Sequence, residues 1–344
     1  MQTDTLPDRF HSLLAGFSTT RILVVGDLML DEFIWGKVSR ISPEAPVPIV
    51  NVTGESYYPG GAANVARNLR EFTAGVALMG LAGADAAGGR LLDLLASAGI
   101  DTSGIERDAA YRTTVKSRII ARNQQVVRVD REQKPAAGAA QAARAIAQLD
   151  AMVARVDAIV VADYGKGFLT QPLADHLCRA AREHGKVLTV DPHPHTSLSW
   201  RGVTAVKPNR MEAFLAAGLP PSEPVTPVLD DSALLEAGRR LRRLWQTENL
   251  LITLGEHGML LFAGDAPPSH TPTRAKDIFD VSGAGDTAIA VLTLALAAGA
   301  TAAEAAEMAN RASGIAVGKL GTATVTVAEL AASFGSPMSG AYVL

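Results

Sequence analysis

The sequence contains almost no cysteine and few aromatic residues. Its 344 residues include a single cysteine, Cys178, so no disulfide can form within one chain. That absence is typical of a reducing compartment, and we expect a cytoplasmic protein in which Cys178 is a small apolar residue on a helix. Aromatic residues make up 5% of the chain and hydrophobic residues 48%, so alanine, valine and leucine must fill a large core.

The sequence also lacks a strong excess of charge and a long uncharged apolar run. A formal net charge of −3 argues against partners such as nucleic acid or an anionic membrane, because both need a basic surface. The most apolar stretch, residues 287–306, follows an acidic glycine turn, which is typical of a buried helix rather than a membrane span. The first residues lack the apolar core of a secretory signal, so we expect no export.

Short apolar runs alternate with helical segments along most of the chain. The runs end in polar or glycine-containing turns and predict buried strands at residues 21–27, 76–83, 157–167, 186–192, 203–209 and 249–255. Residues 60–72 and 88–99 are two of the helical segments. The alternation predicts an α/β fold with a central, mostly parallel sheet and helices on both faces. Since no break divides the chain, we expect one domain over residues 1–344.

Two regions depart from this alternation. Residues 45–58 are punctuated by proline and have a β-like composition, and residues 111–132 are typical of a hairpin that turns at residues 122–125. We expect a small β lid from about residues 33–58 and 111–132, close to the strand ends where ligands of α/β proteins bind.

The hairpin has a charged face. Because side chains alternate along a strand, Lys116 and Arg118 share one face of the first arm, and Arg128 and Asp130 share one face of the second. A basic face on an inserted sheet indicates a lid over an anionic ligand. The alternative is an ordinary solvated outer face.

The stretch DVSGAGD, residues 280–286, places an aspartate after two glycines at the start of an apolar helix. Glycines let backbone amides approach a ligand closely, and a helix start points unpaired N–H groups outward, so this segment can hold phosphate oxygens. A carboxylate beside such an anion hole is useful when it takes a proton from a hydroxyl. Asp286 is therefore a candidate base beside an anion hole formed by Gly283, Ala284 and Gly285. Taken alone, Asp286 could equally be a helix cap.

Four segments together resemble the ribokinase (PfkB) family of sugar kinases. Residues 280–286 resemble the C-terminal motif, and PGGAANVARNL (59–69) resembles the N-terminal glycine motif. KPNRMEA (207–213) carries the N-x-x-E element, and TLGEHGML (253–260) resembles the T-x-G-x-x-G nucleotide turn. All four occur in the family's order. The resemblance covers residues 21 to about 326 and implies a ribokinase-like fold and phosphoryl transfer from ATP, assisted by Mg²⁺, to a sugar hydroxyl.

The resemblance implies roles at the nucleotide end. Asn209 and Glu212 would help to hold Mg²⁺, through water; the alternative is a helix cap with an exposed acid. The family does not fix a lysine at position 207, and a surface charge at a strand end is the alternative there. The implied nucleotide-binding residues are Lys207, Asn209, Thr253, Gly255, Gly258 and Asn310.

A monovalent cation is a further implication. Asp280 and Ser282 match positions that bind such a cation in some family members, whereas the later positions around Ala316 and Gly321 match only loosely. The sequence therefore leaves dependence on K⁺ open.

At the sugar end, Asp31 aligns with the family's aspartate for sugar hydroxyls, and Asp27 follows the first strand. Gly61 stands where ribokinases have lysine, which argues against ribose as the substrate. The implied sugar-binding residues are Asp27, Asp31, Gly60, Gly61 and Asn64.

A more specific resemblance concerns the substrate. Residues 26–52 closely resemble kinases of the heptose pathway for bacterial lipopolysaccharide, as do residues 115–132 and DYGKG at 163–167. These kinases phosphorylate D-glycero-D-manno-heptose 7-phosphate at its anomeric hydroxyl. A substrate that already carries a phosphate needs cations far from the base, and guanidinium groups suit phosphate oxygens. The predicted substrate-binding residues here are Lys116, Arg118, Arg128 and Lys166 for the phosphate and Asp163 for a sugar hydroxyl.

The resemblance also leads to expectations about organisation. In many bacteria this kinase is fused to a nucleotidyltransferase domain that carries H-x-G-H; the sequence contains no such element, so we expect a stand-alone kinase. Exposed lid strands often pair between subunits in this family, and an unpaired edge would invite non-specific association, so we expect a homodimer through the lid.

Several alternatives remain open or are disfavoured. Within the family, the substrate could be fructose 6-phosphate, ribose or a nucleoside. A non-catalytic sugar- or nucleotide-binding regulator is disfavoured because the proposed catalytic residues are intact. A dinucleotide oxidoreductase is excluded because residues 24–33 lack G-x-G-x-x-G.

Asp191, His193 and His195 could ligate a metal, but prolines separate them, and a turn after a strand is the preferred interpretation.

Overall fold

The computed structural model describes residues 6–122, 124–133, 138–275, 278–319 and 321–335; Asn123 of the predicted hairpin turn and both ends of the predicted 1–344 domain lie outside them. The strands in these ranges are β1 (Ile22–Gly26), β2 (Leu28–Ile41), β3 (Pro48–Gly61), β4 (Val76–Gly83), β5 (Asp101–Asp108), β6 (Thr114–Ala121), β7 (Gln124–Arg131), β8 (Ala158–Ala162), β9 (Val187–Asp191), β10 (Ala205–Val206), β11 (Asn249–Thr253), β12 (Met259–Ala263) and β13 (Ser269–Thr271). The helices are α1 (Leu6–Phe17), α2 (Ala62–Arg70), α3 (Ala86–Ser97), α4 (Ala139–Val153), α5 (Gln171–Glu183), α6 (Arg210–Ala216), α7 (Ser232–Trp245), α8 (Ala284–Ala297), α9 (Ala302–Ala316) and α10 (Val327–Ala332).

A large sheet forms the centre of the molecule, with the strand order β13-β12-β11-β10-β9-β8-β1-β4-β5. The pairs from β10–β11 through to β4–β5 are parallel, and only β12 and β13 run antiparallel to their neighbours. This confirms the predicted mostly parallel sheet. The strand predicted at 203–209 is shorter than expected, because only Ala205–Val206 pair on both sides before the chain turns into α6.

Both faces of this sheet are buried under helices. In β1, Ile22 and Val24 point into a core that includes side chains of α1, α2, α8 and α9, whereas Leu23 and Val25 point into a second core with α4, α5 and α7. Helices on both faces explain why the strands are continuous apolar runs rather than alternating ones.

Helix α8 lies inside the first core. All residues from Thr287 to Ala295 are buried, which explains why this helix is apolar on every side. No helix in the described ranges is both long enough and apolar enough to cross a membrane.

A second, four-stranded sheet has the order β3-β2-β6-β7 and corresponds to the predicted lid segments. Its strands reach further than expected: β2 begins at Leu28, and β3 continues to Gly61, directly before α2. In the β6–β7 hairpin Lys116 lies opposite Asp130 and Arg118 lies opposite Arg128. The four charged side chains therefore share one face, as the alternation predicted.

The connections of the large sheet define a crevice. Within the large sheet, β4 and β5 lie on one side of β1. The later strands β8, β9 and β10 lie on its other side. Ligands of open α/β sheets bind at such a switch point, outside the carboxyl ends of the strands. Those ends carry the following residues of interest: Asp27, Asp163, Tyr164, Asp191, Lys207 and Thr253.

Candidate active site

The predicted anion hole lies at the start of α8. Gly283 precedes the helix with φ of 81°, a left-handed conformation that glycine adopts without strain. The Thr287 hydroxyl donates to the Asn68 side chain of α2 at 2.8 Å, which fixes α8 against α2. Ala284 and Gly285 line the cleft at this helix start, and the Ala284 N–H donates to the Val281 carbonyl at 3.3 Å. The unpaired N–H groups at a helix start are suited to donate to an anion.

Asp286 is half-buried in the first turn of α8 and has a donor on each carboxylate oxygen. Asn64 Nδ2 donates to Oδ2 at 2.6 Å, and the Tyr164 hydroxyl donates to Oδ1. Burial raises the pKa of Asp286 to about 6, although the bonds from Tyr164 and Asn64 lower it; nearby Asp191 adds a further increase, which Lys207 opposes. A carboxylate with this pKa is ionised at neutral pH and can accept a proton.

Lys207 reaches the same anion hole. Its side chain is buried, and Nζ lies 3.0 Å from Asp191 Oδ1. A Cβ added at Gly285 would lie 3.6 Å from that Nζ. Burial raises the pKa of Asp191 to about 6, Lys207 lowers it, and Glu212 raises it. The two residues therefore bring a cation next to the helix start.

The N-x-x-E element forms a helix cap on the rim of the cleft. Asn209 Oδ1 accepts from the Glu212 backbone at 2.9 Å, and Glu212 Oε2 accepts from the Asn209 backbone at 2.7 Å. Asn209 and Glu212 therefore form the helix cap that was the alternative interpretation of their sequence. Both side chains also line the cleft. Carboxylate and amide oxygens suit Mg²⁺.

No group of three or more acidic, histidine or cysteine side chains in the described ranges is placed to hold a metal ion. The residues at 209 and 212 therefore fit an ion held mainly by phosphate oxygens and water, rather than a site built from protein ligands alone. Asp191 pairs with Lys207, and the ring centroids of His193 and His195 lie 5.6 Å apart. Asp191, His193 and His195 therefore do not form the metal site that was considered as an alternative from the sequence.

A cleft of about 500 Å³ extends from Asp286 between β11 and α9. That volume lies in the usual range for ligand pockets. The structure brings together here the predicted nucleotide residues Thr253, Gly255, Gly258 and Asn310. Asn310 is buried and donates from Nδ2 to the Pro272 carbonyl at 2.6 Å, which joins α9 to the chain after β13.

The predicted cation-binding residues lie beside this cleft. Asp280 accepts from the backbone of Ser282 through Oδ1 at 2.9 Å and from that of Gly321 through Oδ2 at 3.2 Å. The structure thus brings the segment before α8 against the segment after α9. Binding of a monovalent cation there stays a prediction.

Asp27 binds the backbone of the loop after β8, a structural role that the sequence did not reveal. Its Oδ2 accepts from the backbone of Tyr164 and Lys166 at 3.0 Å each, and its Oδ1 accepts from Phe168 at 3.1 Å. Asp163 is engaged similarly, with the Gly165 backbone and the Thr196 hydroxyl as donors. Both aspartates therefore shape the loop after β8, and their contact with a sugar stays a prediction.

Asp31 is a buried residue of β2 in the small sheet, and Gly60 of β3 lies next to it. A Cβ at Gly60 would lie 2.4 Å from Asp31 Oδ2, so a larger residue there would displace the Asp31 carboxylate. At Gly61, φ is 61°, and an added Cβ would lie 2.6 Å from the Asp27 carbonyl. The two glycines therefore let β3 pass close to the crevice and place Asn64, in the first turn of α2, against Asp286.

The four cations predicted to bind the substrate phosphate, here called the phosphate clamp, have acidic neighbours; they are Lys116, Arg118, Arg128 and Lys166. Arg118 pairs with Asp31 at 2.5 Å, Arg128 with Asp130 at 2.9 Å, and Lys166 with Glu132 at 2.7 Å, so each of these three cations has one carboxylate partner. Burial and the nearby Lys166 lower the pKa of Lys116. The charged face thus carries both signs and is less basic than the sequence implied.

Tyr164 is a site residue that sequence reasoning missed. It belongs to the DYGKG stretch, but no spacing rule connects it with Asp286, which lies 122 positions later. Its position directly after Asp163, the residue that follows buried strand β8, was the available signal, since side chains there face the crevice of an α/β sheet.

Comparison with known proteins identifies a family and a fold for this chain. The family described as "pfkB family carbohydrate kinase" matches residues 19–329. The bifunctional protein HldE of Geobacter metallireducens is 43% identical over 325 residues, which are 94% of this chain and 65% of that protein. The chain therefore spans slightly less than two thirds of this relative's length.

Solved structures show the same fold. Phosphofructokinase-2 from Escherichia coli in complex with potassium has a TM-score of 0.71 at 20% identity, covering 92% of this chain and 98% of that one. Ribokinase from Arabidopsis thaliana, complexed with ribose and ATP, has a TM-score of 0.70 at 15% identity, covering 92% and 99%. At these identities the likeness shows the ribokinase-like fold alone.

Proposed function

Because the chain belongs to the pfkB family of carbohydrate kinases, we propose that it phosphorylates D-glycero-D-manno-heptose 7-phosphate with ATP. The phosphoryl group passes to the anomeric C1 hydroxyl and gives the heptose 1,7-bisphosphate, a step towards ADP-heptose for lipopolysaccharide. The choice of this sugar rests on the resemblance of residues 26–52, 115–132 and 163–167 to kinases of that pathway. The relatives named HldE are consistent with it.

The observation that carries the proposal is the position of Asp286 in the first turn of α8, beside the anion hole. The acceptor hydroxyl donates to this carboxylate and loses its proton to it as the oxygen attacks the γ-phosphorus. The bond from the γ-phosphorus to the ADP oxygen breaks, and ADP leaves. The N–H groups at Ala284 and Gly285 stabilise the charge on the transferred group.

Lys207 and the N-x-x-E element serve the phosphates in this proposal. Lys207 exchanges Asp191 for a phosphate oxygen when ATP is bound, since its Nζ already lies beside Gly285. Asn209 and Glu212 would hold Mg²⁺ through water, and the ion would supply charge neutralisation to the phosphates. Asp280 and Ser282 would bind a monovalent cation behind the anion hole.

The phosphate of the sugar would lie against the charged face of the small sheet. Lys116 has a pKa lowered by burial and by Lys166, so a dianion placed between these two cations is favourable to both. Arg118 and Arg128 lie on the same face and present guanidinium groups. The small sheet would thus act as a lid that contacts the substrate far from Asp286.

The experiment that tests this function is ADP release with ATP and Mg²⁺ against a panel of acceptors: heptose 7-phosphate, sedoheptulose 7-phosphate, fructose 6-phosphate, ribose and adenosine. Turnover confined to heptose 7-phosphate, with a product whose second phosphate is on C1 by ³¹P NMR, supports the proposal. Turnover on another acceptor and none on the heptose phosphate rejects the substrate and leaves the kinase.

A second candidate is a kinase of this family for an unphosphorylated sugar. It is favoured by the pairing of Arg118, Arg128 and Lys166 with carboxylates, because a substrate phosphate must compete with those partners. Ribose in the panel above tests this candidate directly.

We also propose a homodimer that forms through the small sheet. Apolar side chains on this sheet are unusually exposed, including Trp35 at 41%, Val52 at 55% and Val127 at 46%. Sheets with such surfaces commonly associate. Sedimentation should show a species of twice the monomer mass, and a single species of monomer mass would reject the dimer.

A further inference from the structure

Tyr164 and Asn64 together fix the carboxylate of Asp286. The Tyr164 hydroxyl donates to Oδ1, and Asn64 donates to Oδ2 at 2.6 Å. These donors come from different elements, the loop after β8 and the first turn of α2. A carboxylate oxygen has more than one lone pair, so each oxygen can still accept from a substrate hydroxyl.

Tyr164 is itself held on two sides. Its backbone N–H donates to Asp27 Oδ2 at 3.0 Å, and the same carboxylate binds the backbone of Lys166 and Phe168. The half-buried ring packs against the core that contains α2 and α8. The hydroxyl of Tyr164 therefore has a defined position that depends on Asp27 at the end of β1.

We infer that Tyr164 is a positioning residue for phosphoryl transfer, whose hydroxyl orients Asp286 so that a free lone pair faces the acceptor hydroxyl of the sugar. The inference rests on the proposed role of Asp286. The proton of the acceptor passes to Asp286, while the phenol keeps its own proton. Burial and the neighbouring Asp286 raise the pKa of Tyr164 well above its ordinary value, so it remains a donor throughout the working pH range.

The charged groups around Asp286 determine what loss of the hydroxyl would do. Burial and Asp191 raise the pKa of Asp286, whereas Tyr164, Asn64 and Lys207 lower it. Removing the phenol removes one of the lowering interactions. The pKa of Asp286 should then rise, and the carboxylate should also lose a fixed orientation.

The test is Tyr164→Phe, with Tyr57→Phe as the matched control. The Tyr57 hydroxyl also donates to a carboxylate, Glu55 Oε2 at 2.6 Å, but on the opposite face of the small sheet from Asp31. For Tyr164→Phe, the acid limb of the kcat/KM profile should move up by about one to two pH units, the usual value of a hydrogen bond to a charged group. At pH 6.5 this lowers kcat/KM roughly tenfold, and a higher pH recovers part of the loss. Affinity for ATP measured without acceptor should stay unchanged.

A second measurement needs no substrate. In the protein labelled with carboxyl-¹³C aspartate, the Asp286 resonance is identified by its absence in Asp286→Asn. Its titration midpoint should be higher in Tyr164→Phe than in the wild type and in Tyr57→Phe. Equal midpoints, or an acid limb that does not move, would overturn the inference even if Asp286→Asn abolishes turnover. Normal turnover of Asp286→Asn would instead reject the proposed base, which separates the two failures.

Discussion

Lys207 Nζ and Asp191 Oδ1 lie 3.0 Å apart at the floor of the cleft, next to the start of α8. The lysine side chain is only 3% exposed, so its charge is compensated chiefly by this carboxylate. An anion that enters the hole at Gly285 meets a cation already in place, and a change of partner needs little movement.

Replacement of this lysine should impair transfer. In Lys207→Met the charge on the transferred phosphoryl group loses a nearby cation, and kcat should fall by about 10²–10³-fold, the usual cost of one such donor. Lys186→Met is the control, because residue 186 lies at the opposite end of β9 from Asp191. Steady-state kinetics with both variants check this prediction, and equal kcat values would contradict it.

The pH dependence should follow the ionisation of Asp286. Its pKa is raised to about 6, so kcat/KM should rise with pH through that value and level off above it. In Asp191→Asn a charge that raises this pKa is gone, and the acid limb should move to lower pH. A profile that is flat from pH 5 to pH 8 would show that no group of this kind controls the rate.

The charged face of the small sheet provides a paired test of substrate recognition. Arg128 lies on the face with Arg118 and Lys116, whereas Arg131, in the same strand, lies on the other face and contacts Glu32. Arg128→Ala should raise KM for a phosphorylated sugar by roughly tenfold, as for loss of one charge-assisted hydrogen bond. Arg131→Ala should leave KM nearly unchanged. Identical KM values for the two variants would reject the phosphate clamp.

Gly258 in the nucleotide turn should tolerate no side chain. Its φ is 83°, and a Cβ would lie 2.1 Å from the Thr271 carbonyl oxygen. Gly258→Ala should destabilise the fold by about 2 kcal/mol or more, since backbone must move as well as adopt a strained conformation. Gly264→Ala also has positive φ, 47°, but nothing within 4 Å of the added Cβ, so it should cost about 1 kcal/mol. Thermal unfolding of both variants measures the difference.

The large sheet was predictable because its strands depend on local sequence. Runs such as residues 21–27 and 249–255 are apolar in their centres and end at a polar or glycine residue, as expected for strands covered on both faces. The β6–β7 hairpin was predictable for a similar reason, since strand alternation alone places Lys116 and Arg118 on one face. The start of β2 at Leu28 was not, because Asp31 and Glu32 interrupt its apolar pattern.

The site was only partly predictable because several of its contacts join distant parts of the chain. The motif at 280–286 indicated Asp286, but the Tyr164 contact depends on how the loop after β8 meets α8. The Asp31–Arg118 pair depends on the parallel register of β2 and β6, which no local pattern specifies. Asp27 was predicted at the crevice, yet its three backbone donors appear only in the folded chain.

The most direct test of the account is transfer by Asp286→Asn. With ATP, Mg²⁺ and an acceptor that the wild type uses, single-turnover transfer should fall by several orders of magnitude, because the variant cannot accept the acceptor proton. ATP affinity should be nearly unchanged, since the N–H groups of the anion hole and Lys207 remain. Transfer within about tenfold of the wild type would contradict the role of Asp286 and the mechanism built on it.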